Sequence, residues 1–295
     1  MNFGRFIMKK TFKLLLSLLI IFTMTTLTSC STSNTSKKST NTDSDMLVHY
    51  INVGQGDAEL IQVNGLNMLI DAGPGSNQKD LISYLDKLKI KKLDYVIATH
   101  PHEDHIGNMD DVINKYEIGK FYAPKVEHTT KAFEKMVTAL KKKNLKINVI
   151  KEGTDSIDLG KNTKVSVFSP KANFNDKKDL NNYSPIMKIQ YGDTSFLFTG
   201  DAEKLEENYV LDKGYDVKAD VLKLGHHGST TSTTEKFLKK VNPSIGVISC
   251  APNNDYGHPH KETLKKLEKY KVKVYRTDKD GTITLCSNGK TITKE

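Results

Sequence analysis

The chain has 295 residues and a formal net charge of +9, with 37% hydrophobic and 27% charged residues. This composition suits one globular domain of substantial size or two small ones, and it excludes a chain that is disordered throughout. The sequence contains no internal repeat of fixed period, so a repeat architecture is not expected.

The N-terminal segment, residues 1–29, is predicted to be a lipoprotein signal peptide. Basic residues precede an apolar run, residues 14–24, that is too short to span a membrane. The sequence LTSC follows, ending at Cys30, and resembles a bacterial lipobox. We therefore expect cleavage before Cys30 and its lipidation, which would anchor the protein at the extracellular face of the cell membrane. An ordinary signal peptide and an uncleaved anchor are the alternatives.

Residues 30–45 are predicted to form a flexible tether, because they are almost all Ser, Thr, Asn and Lys and have nothing to bury. The globular domain is then residues 46–295. Removal of residues 1–29 removes four basic and no acidic residues, which leaves a net charge of +5. This balance favours an anionic substrate or surface, although solvated faces of lysine-rich helices account for much of it.

Apolar runs in the domain predict β-strands, and several of them stop at clusters of polar residues. A glycine turn, residues 54–57, separates the first two strands. The third strand ends at Asp71 and the fourth at His100, and the last three also end before polar clusters. The predicted strands are residues 49–53, 58–63, 67–70, 93–99, 195–199, 220–224 and 245–249.

One-sided apolar stripes predict helices between these strands. The predicted helices are residues 80–89, 108–116, 130–143 and 261–270. Alternating strands and helices indicate an α/β architecture. Sites in such sheets lie beyond the carboxyl ends of the strands, so the polar clusters are expected to converge in space.

Histidines concentrate at the predicted strand ends, where seven of the nine lie. Residues 100–105 read HPHEDH. His100 and His102 lie two residues apart in an extended loop, so both imidazoles can reach one metal ion. Asp104 and His105 follow where the loop turns into a helix, and they should point to a second, adjacent position. A metal site is therefore expected here.

Two residues elsewhere are candidates to complete this site. Asp201 suits a carboxylate that bridges two ions about 3.5–4 Å apart, and His258 is a candidate ligand for the second position. Nitrogen and oxygen ligands suit Zn²⁺ or Mn²⁺, so we expect one or two such ions and no nucleotide cofactor. No Cys-x-x-Cys pair is present, which excludes a thiolate zinc site. Cys250 and Cys286 are expected to be buried and free, with a disulfide as the alternative.

These motifs resemble those of the metallo-β-lactamase superfamily. HPHEDH matches its His-x-His-x-Asp-His motif, Asp71 matches the aspartate that ends an early strand, and Asp201 matches the later bridging aspartate. More narrowly, residues 53–57, 224–229 and 254–260 resemble the hydrolase domain of the ComEC DNA-uptake family. The resemblance covers the whole domain. It implies an α/β fold of the αββα sandwich type, in which two β-sheets are flanked by helices.

The same resemblance implies hydrolysis by a metal-bound hydroxide, with one aspartate shared between two ions. The implied metal ligands are His100, His102, Asp104, His105, Asp201 and His258. Asp57 and Asp71 would orient ligands rather than bind metal themselves. Besides Asp104, the expected catalytic residues are His226 and His227, one of which would protonate the leaving oxygen.

The sequence departs from the superfamily pattern at the ion that His100 and His102 would bind. A further histidine ligand for this ion is expected in residues 181–185, which read NNYSP, so the ion has one imidazole ligand fewer than in the superfamily. It would bind weakly, complete its shell with water, or bind only with the substrate phosphate, and the resemblance favours manganese. Asn182, Ser184, Ser229 and Asn254 are the expected substrate-binding residues, although turn chemistry explains the last two equally well.

The ComEC resemblance favours an anionic phosphodiester substrate, and DNA above all. The chain has no second apolar segment of about 18 residues, so it is not expected to form the membrane channel of that family. We therefore expect a surface-tethered, metal-dependent phosphodiesterase or nuclease. The alternatives are a hydrolase of cell-wall phosphodiesters, such as teichoic acid or phosphocholine, and a non-catalytic DNA-binding lipoprotein.

Overall fold

The computed structural model describes residues 45–175 and 179–295. The predicted signal peptide, the predicted lipidation site Cys30 and residues 31–44 of the predicted tether lie outside the described residues. Within the two described ranges, no helix is both long enough and apolar enough to cross a membrane.

The first of two mixed β-sheets contains the first six described strands and the last two. These are β1 (Met46–Tyr50), β2 (Glu59–Val63), β3 (Leu66–Ile70), β4 (Lys92–Ile97), β5 (Glu117–Ala123), β6 (Ile147–Val149), β13 (Ile283–Ser287) and β14 (Ile292–Lys294). Their order is β14-β13-β1-β2-β3-β4-β5-β6. The strands from β3 to β6 run parallel, whereas the other neighbours are antiparallel.

The second sheet contains the intervening strands. These are β7 (Thr163–Val167), β8 (Met187–Tyr191), β9 (Thr194–Phe198), β10 (Val221–Lys223), β11 (Ile245–Ile248) and β12 (Lys273–Arg276). Their order is β12-β11-β10-β9-β8-β7. The strands from β9 to β12 are parallel, so their carboxyl ends meet at one edge of the sheet.

Helices cover both sheets. The α-helices are Gln78–Lys87, Glu103–Ile106, Met109–Lys115, Lys131–Lys142, Lys204–Asp212, Glu235–Val241, Lys261–Lys269 and Thr277–Asp280. Short 3₁₀ turns lie at Gly75–Asn77, Asn181–Tyr183 and Gly225–Gly228. Apolar residues of the first four α-helices pack on the first sheet, and residues of the next three pack on the second.

Alternation of side chains along the strands separates the core into layers. In the first sheet, Ile61 packs toward the second sheet, whereas its neighbour Leu60 packs toward the helices. In the second sheet, Phe196 packs inward and Leu197 packs toward the helices on that side. The predicted αββα sandwich is therefore confirmed.

The ends of the predicted elements lie within two residues of the observed ends, except for β1. β1 begins at Met46 and ends at Tyr50, not at residues 49 and 53, because residues 46–50 are the ones that pair with β13. The predicted helix 108–116 is shorter, at Met109–Lys115, and a separate helical turn precedes it. Cys250 and Cys286 are both buried, as expected, and no disulfide joins them.

Candidate metal centre

The HPHEDH loop leaves the end of β4 and turns at once into the short helix Glu103–Ile106. His102 has extended backbone angles and occupies the position just before this helix. Its Nδ1 lies 2.9 Å from Nε2 of His100. The two imidazoles that the sequence places two residues apart therefore lie within hydrogen-bond distance of each other.

Asp201 occupies the centre of the site, where the chain turns after β9. Its Oδ2 atom lies 3.3 Å from Nε2 of His105, 3.6 Å from Nε2 of His227 and 3.8 Å from Nε2 of His100. Ligand atoms of Asp104, His105, Asp201 and His227 all lie within 4.8 Å of one another. We call these four residues the ligand cluster.

Buried polar atoms in the ligand cluster fit a metal ion. Nε2 of His105 and Oδ1 of Asp201 are buried and make no hydrogen bond within the described part of the chain. Burying such atoms without partners is unfavourable, so atoms of this kind need a ligand. Two imidazole nitrogens and two carboxylates form a donor set that suits a divalent cation such as Zn²⁺ or Mn²⁺.

Asp71 fixes the orientation of His105 from behind. Its carboxylate accepts hydrogen bonds from the backbone N–H of Thr99 at 2.8 Å, from Oγ1 of Thr99 at 2.6 Å and from Nδ1 of His105 at 2.7 Å. A donor hydrogen on Nδ1 leaves Nε2 of His105 free to bind metal. The structure therefore places Asp71 where a carboxylate would orient a ligand, as the sequence analysis expects.

His227 lies in the ligand cluster, although the sequence analysis assigned it to proton transfer. Both His226 and His227 have positive φ, 49° and 53°, between two glycines. This left-handed turn sends the two rings in different directions. Nδ1 of His227 donates to the carbonyl oxygen of Ser249 at 3.0 Å, and its Nε2 lies 3.2 Å from Oδ2 of Asp104.

His226 faces the cleft from the other side of this turn. Its Nδ1 lies 3.1 Å from Oε1 of Glu203 and 3.1 Å from Oγ1 of Thr231. The hydrogen bond from His226 lowers the pKa of Glu203 to about 2, so this carboxylate stays ionised. Nε2 of His226 lies 3.7 Å from Oδ2 of Asp201, next to the ligand cluster but outside it.

His258, predicted to be a metal ligand, lies beside the ligand cluster and not within it. Its ring centroid is 5.4 Å from that of His226 and 6.1 Å from that of His227. Burial, together with the nearby His227 and His226, lowers the pKa of His258 to about 4, so the ring is neutral at pH 7. The position that the sequence analysis gave to His258 is taken by His227.

A buried ion pair behind His227 was missed by the sequence analysis. Nζ of Lys223 donates to Oδ2 of Asp57 at 2.7 Å, and both residues are 1% exposed. Oδ1 of Asp57 lies 3.4 Å from Nδ1 of His227. The signal in the sequence is a lysine inside the apolar run of β10, where an unpaired charge would be very unfavourable.

Opposite charges in and beside the ligand cluster shift one another's pKa values toward the ionised forms. Burial lowers the pKa of His227, but the carboxylates of Asp201 and Asp57 outweigh burial and raise it to about 10. Burial raises the pKa of Asp201, but the imidazoles of His105 and His227 hold it well below its usual range. Protons on the imidazoles therefore balance the carboxylates, and a bound cation supplies the same balance when it displaces those protons.

Of the four predicted substrate-binding residues, none lines the cleft in front of the ligand cluster. Ser184 is buried, and its Oγ accepts from the backbone N–H of Asp201 at 3.1 Å and lies 3.2 Å from Nδ1 of His100. Its hydroxyl thus stands beside the imidazole pair, where the sequence lacks a further histidine. Asn182 is also buried, and its amide oxygen accepts from the backbone N–H of Glu203.

The other two predicted substrate-binding residues stabilise turns. Oγ of Ser229 accepts from the backbone N–H of Thr231 at 3.3 Å. The side chain of Asn254 accepts from the backbone N–H of His258 at 2.9 Å and donates to the carbonyl oxygen of Ala251 at 2.9 Å. Both side chains therefore act in the turn chemistry that was the alternative interpretation.

The cleft in front of the ligand cluster has a volume of about 680 Å³. The cleft is also lined by polar and aromatic side chains that were not predicted to be functional. They are Gln55, Ser76, Asn77, Glu103, Asn181 and Tyr256. They lie in loops, in short 3₁₀ turns or, for Glu103, at the start of a helix, and no local motif distinguishes them from ordinary residues of such segments.

Replacing Asp71 with asparagine tests how far His105 depends on its hydrogen bond. We expect Asp71→Asn to weaken Mn²⁺ and Zn²⁺ binding about 10- to 100-fold, because the amide does not fix the Nδ1 hydrogen of His105 as a carboxylate does. Calorimetric titration of the full chain in detergent measures the affinity. Asp212→Asn, at an exposed carboxylate outside the cleft, is the matched control, and equal affinities in the two variants would contradict the role of Asp71.

The chain is similar to one protein superfamily and, within it, to competence proteins. The model of the metallo-β-lactamase superfamily matches residues 51–251. ComE operon protein 3 of Bacillus subtilis is 34% identical over 254 residues, which are 80% of this chain and 32% of that protein. Competence protein ComA of Neisseria gonorrhoeae is 26% identical over 243 residues, which are 82% of this chain and 32% of that protein. The chain thus spans about a third of the length of these relatives.

Solved structures share the fold. Igni18, a metallo hydrolase from Ignicoccus hospitalis, has a TM-score of 0.52 at 19% identity, covering 81% of this chain and 98% of that one. The metallo-β-lactamase fold protein YhfI of Bacillus subtilis has a TM-score of 0.53 at 14% identity, covering 82% and 99%. The superfamily model and the 34% identity with ComE operon protein 3, together with the His/Asp ligand cluster, show that the chain belongs to the metallo-β-lactamase superfamily, as a metal-dependent hydrolase related to competence proteins.

Proposed function

We propose that this hydrolase is a phosphodiesterase that cleaves DNA and that a lipid on Cys30 tethers it to the extracellular face of the cell membrane. The observation that supports DNA most directly is the 34% identity with ComE operon protein 3 over 80% of the chain. Three more relatives match, among them recombination protein 2 of Haemophilus influenzae at 31% identity. A polar cleft beside a cation site also suits a phosphate group, which is anionic and coordinates metal.

The ligand cluster would hold one divalent ion through Asp104, His105, Asp201 and His227. An ion held there supplies Lewis acidity toward a phosphoryl oxygen and makes water a stronger acid. Asp71 and the carbonyl oxygen of Ser249 each hold one Nδ1 hydrogen, so that the Nε2 atoms of both imidazoles face the centre. A second ion would be held weakly by His100 and His102, since Ser184 and not an imidazole stands beside them.

We assign proton transfer to His226. Its ring is half-buried at the cleft, and the ionised Glu203 accepts from Nδ1, which directs Nε2 toward the space above Asp201. An imidazole in this position can give a proton to the leaving oxygen of a phosphodiester, which is a contribution of about 10²- to 10⁴-fold. His227 has no such freedom, because both of its nitrogens already have partners.

The proposal is tested on the full chain, purified in detergent and freed of metal. Mn²⁺ and Zn²⁺ are titrated separately while single- and double-stranded DNA, bis-p-nitrophenyl phosphate and a glycerol-phosphate polymer are offered as substrates. We expect metal-dependent DNA cleavage that is lost in Asp104→Ala. Cleavage of the small diester and the polymer but not of DNA would contradict the DNA assignment and favour wall phosphodiesters. A folded, metal-loaded protein that hydrolyses nothing would favour a DNA-binding lipoprotein.

The tether is tested separately, in whole cells, by cell fractionation. We expect the intact chain in the membrane fraction and DNA cleavage at the outside of whole cells. Cys30→Ser should abolish incorporation of a labelled fatty acid into the chain, since the thiol that would carry the lipid is absent. Equal labelling of the variant and the wild type would contradict lipidation of Cys30.

A further inference from the structure

Tyr256 is an exposed aromatic residue at the rim of the cleft. Its side chain is 66% exposed, although large apolar side chains of the domain are mostly buried. It lines the same cleft as Asp104 and His227 of the ligand cluster. An exposed aromatic ring beside a polar site that suits a phosphate group is a feature of proteins that stack nucleobases.

The loop that carries Tyr256 is held rigidly by its own hydrogen bonds. The side chain of Asn254 bonds to the backbone of Ala251 and of His258, and so closes the loop on both sides of Tyr256. Nε2 of His260 lies 3.2 Å from the carbonyl oxygen of Tyr256. The backbone is therefore fixed while the ring itself is left open to solvent, which lowers the entropy lost when a ligand stacks on it.

A second ring lies next to that of Tyr256. His258 is stacked on it with centroids 5.6 Å apart and an angle of 20° between the planes. His258 is also the ring nearest to His226 on that side of the cleft, at 5.4 Å between centroids. The two rings form a stacked pair that runs from the solvent-exposed rim toward the proton donor and the ligand cluster.

The side-chain amide of Gln55, which also lines the cleft, has a nitrogen that is unpartnered in the described part of the chain. Oε1 of Gln55 accepts from the backbone N–H of Ala251 at 3.2 Å, which ties Gln55 to the start of the Tyr256 loop. Nε2 of Gln55 is buried and makes no hydrogen bond within the described residues. Such an amide needs an acceptor, and both a phosphate oxygen and a base carbonyl oxygen are acceptors.

We propose that Tyr256, backed by His258, is a stacking site for the nucleobase next to the scissile phosphate, and that it selects single-stranded over duplex nucleic acid. This inference rests on the proposed nuclease function and names its substrate class. A base offers its face to a protein ring only when it is unstacked, whereas the bases of a duplex are stacked on one another. A polyol phosphate has no planar face to offer.

The test measures binding by the metal-free full chain in detergent, where no turnover occurs. The probes are a short fluorescent oligothymidylate, the same strand with an abasic site moved along it, and the matching duplex. The variants are Tyr256→Ala and Tyr256→Phe. Leu205→Ala is the matched control, since Leu205 is 52% exposed and lies outside the cleft.

Stacking on Tyr256 predicts a specific pattern of dissociation constants. Tyr256→Ala should bind the intact strand about 5- to 100-fold more weakly and lose its discrimination against the abasic strand. Tyr256→Phe should keep most of the affinity, since the ring remains. An alanine variant that still discriminates against the abasic strand, or a wild type that binds duplex as tightly as the single strand or binds neither, would overturn the proposal.

The binding and cleavage results together distinguish a failure of the stacking site from a failure of the proposed nuclease function. DNA cleavage with no effect of Tyr256→Ala on binding overturns the stacking site and leaves the nuclease. The expected binding pattern without any DNA cleavage supports the stacking site and overturns the nuclease. A glycerol-phosphate polymer that is added as a competitor and displaces the oligonucleotide at lower concentration than unlabelled oligonucleotide does overturns both.

Discussion

Asp201→Asn is expected to lower kcat for bis-p-nitrophenyl phosphate on the order of 10³-fold or more. Oδ2 of Asp201 is the atom that lies within 3.8 Å of His100, His105, His226 and His227, so its charge is shared by the whole site. An amide has the same shape but no charge to balance a divalent ion, and the ion contributes several kcal/mol of transition-state stabilisation. Steady-state kinetics and metal content of the variant measure the effect.

A matched pair of substitutions separates this effect from a general loss of folding. Asp212→Asn makes the same chemical change at an exposed carboxylate that pairs with Lys236, and it should leave kcat and metal content unchanged. Circular dichroism and the unfolding midpoint of Asp201→Asn show whether the domain is intact. A variant that keeps both its metal and its activity would contradict the central role of Asp201.

Lys223→Met is expected to lower the free energy of unfolding by about 3–5 kcal/mol. The substitution leaves Asp57 buried at 1% exposure without the ammonium group of Lys223, and the ring of His227, 3.4 Å away, does not replace that hydrogen-bonded cation. An unpaired buried carboxylate is far more costly than the loss of the pair itself. Urea unfolding of the full chain in detergent measures the change.

Lys188→Met is the matched control. Lys188 also lies in the second sheet, and its Nζ donates to Oδ2 of Asp216 at 2.8 Å, but that carboxylate is 80% exposed and remains hydrated after the substitution. We expect a smaller loss, of about 1 kcal/mol from the ion pair. Addition of Asp57→Asn to Lys223→Met should recover part of the lost stability. Equal losses in the two lysine variants would show that burial of Asp57 is not the cause.

The convergence of the strand ends could be predicted from the sequence. Polar residues follow β3, β4, β9, β10 and β11, and parallel strands place their carboxyl ends at one edge. The HPHEDH spacing also predicted that the imidazoles of His100 and His102 would lie close together. Their ring nitrogens are 2.9 Å apart in the structure. Such features depend on local chain geometry, which short motifs encode directly.

Which histidine completes the ligand cluster could not be predicted from the sequence. His226 and His227 are adjacent, and only the positive φ values of their turn decide that one ring faces Asp104 and the other faces Glu203. Local spacing did not distinguish either of them from His258. The pairing of Lys223 with Asp57 could not be predicted either, because the two residues lie 166 positions apart in the chain. Orientation and long-range pairing both depend on tertiary packing.

The place of β1 in its sheet has a consequence for the order of folding. β1 lies between β2 and β13, and Val48 pairs with Leu285, so the first described strand is completed by a strand that follows it much later in the sequence. Contacts of such high sequence separation slow folding, because a long loop must close before they form. During synthesis, one side of β1 therefore stays an open edge until β13 emerges, and a nascent or shortened chain that lacks β13 exposes a strand prone to aggregation.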